Sequence, residues 1–216
     1  MRHVLALCLA LFAAACQGTR TLADPVLEIR GPEATELGVA TDYGLVFLGR
    51  TARSGSIEVT AWFGDGPSIE LAVVEPLGGG LFTAEPEIRL PRVPVSFETP
   101  APGTRLLAIG RVGRELWREE VTVESDASIT GIVTTIPSAI ERADGQVGAG
   151  LYRFDPAHPE HLTLVGLVSG RVEVSDASGS PRRYLTAVGP DQLWRLVTYQ
   201  RNRTHKRKFV YRDDVM

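Results

Sequence analysis

Gly55-Ser56-Ile57-Glu58-Val59-Thr60-Ala61-Trp62-Phe63 alternates apolar and polar side chains, and Gly64-Asp65-Gly66-Pro67 follows it directly. A period of two puts Ile57, Val59, Ala61 and Phe63 on one face of a strand and Glu58, Thr60 and Trp62 on the other. One face then belongs to a core. Gly and Asp tolerate positive φ and Pro lacks a donor, so the chain turns at 64–67. Ile69 to Val74 reads as the returning strand of a hairpin.

Outward from this hairpin the pattern repeats. Val26 to Arg30, Leu45 to Gly49, Val93 to Phe97, Arg105 to Val112 and Leu116 to Val123 read as further strands. Their spacing, about ten residues with turns between, is that of a β-sandwich. The Pro-rich stretch Glu85 to Pro102 resists interior sheet positions, because each Pro removes a ladder donor, so it reads as edge strand, surface loop or binding loop. A polar Glu-Ser-Asp-Ala-Ser break at Glu124 to Ser128 precedes a second set of strands. These are Ile129 to Thr134, Val147 to Phe154, Leu162 to Val168, Arg171 to Val174, Tyr184 to Val188, Leu193 to Tyr199 and Lys208 to Arg212. Pro137 to Ala143 is the only helical candidate. The expectation is an all-β chain: an Ig-like or similar β-sandwich over 25–125 followed by a second small β domain over 126–216, or one larger sandwich.

The start of the chain reads as a targeting signal. Arg2 and His3 form a positive n-region and Val4 to Ala15 an uncharged apolar run of about 18 Å as a helix, too short to span a bilayer core of about 30 Å. Its end, Ala13-Ala14-Ala15-Cys16, resembles the lipobox of bacterial lipoprotein precursors. That resemblance implies removal of residues 1–15, lipid on Cys16, a short tether over 16–24 and a membrane as partner. Gln17 in place of Asp implies delivery to the outer membrane. Cys8 would leave with the signal and Cys16 would be acylated, so the exported part holds no internal disulfide and depends on packing.

Charge is uneven. Cys16 to Pro190 carries 15 Arg and 23 acids, net −8, whereas Asp191 to Met216 carries 7 basic residues and 3 acids, net +4. In that last stretch Arg201, Arg203, Lys206, Arg207 and Lys208 lie among Tyr199, Phe209 and Tyr211, a composition suited to anionic envelope polysaccharide or glycolipid rather than nucleic acid. A closing hairpin with Arg201 to Arg207 at its solvated tip is the plainer reading.

Three other groups bear on chemistry. Asp155-Pro156-Ala157-His158-Pro159-Glu160-His161 gathers two imidazoles and two carboxylates. Its two prolines forbid the helix that would align both histidines, so it reads as a polar hairpin loop and no metal is expected. Glu119 and Glu120 are adjacent in a strand and point to opposite faces. Leu164-Val165-Gly166-Leu167-Val168-Ser169-Gly170 resembles the strand and turn just beyond the nucleophile of trypsin-like serine proteases. That family carries Gly-Asp-Ser-Gly-Gly upstream. Here the corresponding stretch is Gly145-Gln146-Val147-Gly148-Ala149-Gly150, without a serine, and His3 is the only histidine before it. An acyl-enzyme of that kind therefore has no hydroxyl and no base. The resulting expectation is a non-enzymatic accessory or binding subunit of the bacterial envelope, without a cofactor, meeting an envelope protein partner through edge strands or loops. The alternative is a binder of anionic envelope carbohydrate through the basic tail.

Overall fold

The computed structural model describes residues 25–32, 34–51, 58–60, 68–70, 74–85, 91–112, 115–126, 128–138, 146–175 and 179–213; at 58–60, 68–70 and 205–213 it describes backbone alone. Cys16 and the signal lie outside this set, as do most of 55–63 and the turn at 64–67.

The first β unit contains β1 (Val26–Arg30), β2 (Thr35–Thr41), β3 (Gly44–Phe47), β4 (Glu58–Thr60), β5 (Ser68–Glu70), β6 (Val74–Gly78) and β7 (Leu81–Ala84). They form one antiparallel sheet in the order β5-β4-β1-β2-β3-β7-β6. The hairpin expected at the start is present, with Val59 opposite Ile69. β2 and β3 are buried almost throughout, on both faces. Val39 and Val46 face one apolar cluster; Ala40, Leu45 and Phe47 face another. Strands covered on both sides lose the alternation that marks a half-buried strand, so Gly44–Phe47 looks in sequence like a plain apolar run.

The second unit is a closed six-stranded barrel. It contains β8 (Arg105–Val112), β9 (Glu115–Glu124), β10 (Ile132–Thr134), β11 (Gly150–Asp155), β12 (His158–Ser175) and β13 (Pro181–Val188). Their order is β10-β13-β12-β11-β8-β9, closed by pairing of Val133 with Glu124. The all-β expectation holds. Because β8 and β9 pair with β10 and β11, the change from one unit to the next falls between Ala84 and Arg105 rather than at 125–126. The polar break at 124–128 is a turn inside the barrel, which sequence spacing cannot distinguish from a linker.

Residues 91–102 of the Pro-rich connection form a strap between the units. Val93 exchanges backbone bonds with Ala40 and Asp42 of the first unit, and Ser96 N donates to Leu164 O of the second at 2.8 Å. The larger apolar cluster runs through both units, from Val26, Leu37 and Val39 to Ile109, Leu151 and Leu167. One core is shared.

After β13 the chain forms α1 (Pro190–Asp213), where two strands and a hairpin tip at Arg201 to Arg207 are expected from composition. Pro190 opens the helix, where its missing N–H costs nothing, Gly189 O accepts from Gln192 N and Leu193 N, and Asp191 complements the helix dipole. Leu193 and Leu196 are fully buried and Val197 nearly so. Their spacing with Gln200 is one helical stripe, and burial of each leucine contributes about 1.5–3 kcal/mol. Among the described residues no helix is long and apolar enough to cross a membrane.

Candidate functional site

The seam between the units is tightest at the turn before β11. Leu37 N in β2 donates to Val147 O at 2.8 Å, and Gly148 N donates to Val168 O in β12 at 2.8 Å. Gly148 has φ +88°, and a β-carbon there would sit 1.7 Å from Leu37 O. Only glycine lets the two backbones approach this closely. Gln146 is held from the other side by the Trp117 indole, which donates to its Oε1 at 3.1 Å.

Facing this turn is the end of β3. Glu36 in β2 is 2% exposed, and its carboxylate accepts from Leu48 N at 3.1 Å, Thr51 N at 2.8 Å and Thr51 Oγ1 at 2.7 Å. A buried carboxylate so satisfied fixes the backbone of residues 48–51, which has no strand to hold it. That backbone carries Arg50 across the seam, where its Nη2 donates to Ser169 O at 3.4 Å.

Ser169 lies at an irregularity of the β12–β13 ladder, between the pairs Val168–Ala187 and Gly170–Thr186. Ser169 Oγ and Thr186 Oγ1 are 3.1 Å apart and Thr186 Oγ1 donates to Gly170 O at 3.2 Å. β11 accompanies β12 only as far as Leu167. Val168 still exchanges backbone bonds with Gly148 and Ala149, and from Ser169 to Ser175, among the described residues, β13 is the only strand paired with β12. A pocket of 230 Å³ is lined by Arg171, Val172 and Glu173 of β12, Arg183 of β13 and Ile136. Arg183 and Glu173 close one side of it with an ion pair of 2.7 Å. The candidate site is therefore the Ser169–Glu173 stretch of β12, which Arg50 reaches across the seam.

Of the basic residues expected to bind an anion, Arg201 and Arg203 have described side chains. Arg203 pairs with Glu85 of the first unit, and this pairing raises the basicity of its guanidinium. Arg201 lies 6.0 Å above the Trp194 ring, which in turn packs edge-on against Phe97 at 4.9 Å. The side chains of Lys206, Arg207 and Lys208 lie outside the described residues. Glu119 and Glu120 do face different partners, Ser138 and Arg105 respectively. His158, Glu160 and His161 converge at the far end of β12.

No protein-family model matches the chain, and no curated protein does. Solved structures do. The serine protease of a human pathogenic astrovirus superposes with a TM-score of 0.55 at 12% identity, covering 78% of this chain and 91% of its own. Rv3671c of Mycobacterium tuberculosis H37Rv, in the inactive form of a serine-to-alanine mutant, superposes with a TM-score of 0.54 at 16% identity, covering 81% and 87%. These likenesses overturn the expectation of a non-enzymatic envelope subunit and its carbohydrate-binding alternative. That expectation took the missing serine and histidine for the absence of an enzyme scaffold. The stretch Gln146–Gly150 read beside the Leu164–Gly170 resemblance includes the turn at the seam, with Val147 in it 3% exposed. What the likeness establishes is the fold, shared with these serine-protease structures over 78% and 81% of the chain.

Proposed function

We propose that this chain acts on polypeptide, taking an extended segment into a groove along Ser169–Glu173 of β12. The observation that carries the reading is the length of β12, which among the described residues continues from Ser169 to Ser175 with β13 alone as a paired strand. A strand edge of this kind pairs with an extended peptide through its main chain, and neighbouring pockets select side chains. Here the neighbouring pocket is lined by Ile136, Arg171 and Glu173. Support for polypeptide over other extended polymers comes from the astrovirus relative, which is a serine protease. The chemistry on offer in the groove differs from a serine–histidine relay, since Val147 stands in the turn and the hydroxyls nearby are those of Ser169 and Thr186.

The test reads binding and cleavage together. The full chain is incubated with a library of unstructured peptides, fragments are sought by mass spectrometry, and amide exchange of Ser169–Glu173 is followed. Protection of those amides, or new peptide ends, supports the reading; neither protection nor fragments overturns it.

A further inference from the structure

At the end of β12 remote from the groove, the β11–β12 hairpin gathers three ligand-type side chains. Asp155 pairs with His158 across a tight turn in which Ala157 N donates to Asp155 Oδ1 at 2.9 Å. The next pair is Arg153 with Thr163, so β12 accommodates extra residues between them. In a regular strand His158 and His161 would point to opposite faces. The bulge removes that alternation, as bulges do when they re-aim a side chain. Their rings lie 5.3 Å apart between centroids at 29°. Glu160 Oε1 stands 3.5 Å from His158 Nδ1 and 3.8 Å from His161 Nε2, and all three ligand atoms lie within 4.8 Å of one another.

We propose that His158, Glu160 and His161 form a binding site for a borderline divalent cation of the zinc or copper type. Ligand bonds of about 2.0–2.1 Å at tetrahedral angles separate the donor atoms by about 3.3 Å, so two of the three edges are within half an ångström of the required length. Two imidazoles and one carboxylate select such ions over calcium or magnesium, which prefer all-oxygen shells. The three side chains are exposed and rotate toward an ion without disturbing the barrel. A three-ligand set leaves the fourth tetrahedral vertex to water. Metal competes with protons for both imidazoles, so each ion bound displaces the protons they carry. The site is independent of the polypeptide reading, because it occupies the opposite end of the strand.

The experiment is calorimetric titration of the chelator-stripped full chain with zinc chloride. One ion per chain is expected. His158→Ala and His161→Ala are each expected to weaken binding by more than the 10–100-fold that losing a partner one shell further out costs, while His205→Ala leaves it unchanged. Both site variants keep the far-ultraviolet dichroism of the parent, since the side chains are exposed. A second reading needs no variant: zinc protects His158 and His161 of the unmodified chain from diethyl pyrocarbonate. Unchanged affinity in the two variants, or failure of zinc to protect the two imidazoles, overturns the proposal.

Discussion

The amide of Leu37 donates to the carbonyl of Val147 at 2.8 Å, and that single bond brings β2 of the first unit against the turn that leads into β11 of the second. The neighbouring Gly148 has no room for a side chain and a φ of +88°. Gly148→Ala is therefore expected to push the units apart at the seam and cost about 2–4 kcal/mol, at the upper end of single substitutions. Urea unfolding followed by tryptophan fluorescence measures this; a loss under 1 kcal/mol would show that the turn can shift without the seam.

Glu36→Gln keeps the shape of the side chain but turns part of it into a donor facing three donors. Leu48 N, Thr51 N and Thr51 Oγ1 then compete for one amide oxygen. A cost of about 2–3 kcal/mol is expected, with Thr51→Ala costing about 1 kcal/mol because it removes only one of the bonds. Comparison of the two denaturation midpoints checks the order.

Leu196→Ala empties a fully buried position on the inner stripe of α1 and is expected to cost about 2–5 kcal/mol. Because the helix is held at one end of the fold, the first symptom is local release. Limited proteolysis should cut within 190–213 in the variant under conditions that spare the parent. Cleavage elsewhere first would contradict the docking described here.

Tyr199 holds its proton above the ordinary tyrosine range, first because it is partly buried and then because Glu75 lies near it. Between the ordinary and the raised value the folded chain binds more protons than the unfolded one, so stability falls as pH rises through that alkaline window. Tyr199→Phe is expected to flatten this decline in thermal melts taken at increasing alkaline pH. Phenolate absorbance of the parent should show one tyrosine ionising later than in the variant.

How much of this was legible in the sequence depends on what each element touches. The hairpin of β4 and β5 was readable, because turn chemistry at 64–67 acts locally. The helix was not: Leu193, Trp194, Leu196 and Val197 lie close enough together to pass for a strand, and only the fully buried Leu193 and Leu196, with Gln200 Nε2 donating to Tyr43 O at 2.7 Å, separate the two periods. The division between the units was displaced because the polar break at 124–128 looks like a linker, whereas it is a turn inside the barrel and residues 91–102 form the strap. The groove escaped notice for a different reason. Arg50 and Ser169 are each unremarkable in sequence, and they meet through a bond that spans more than a hundred positions.

Reliance of the first sheet on α1 has a consequence for the order in which the molecule matures. Gln200 caps Tyr43 O, Arg203 neutralises Glu85 and Arg195 reaches Leu77 O. A chain emerging from its N-terminus lays down that sheet early but must leave its outer surface bare until the final segment appears. A partially synthesised chain is thus exposed to aggregation until residues 190–213 follow.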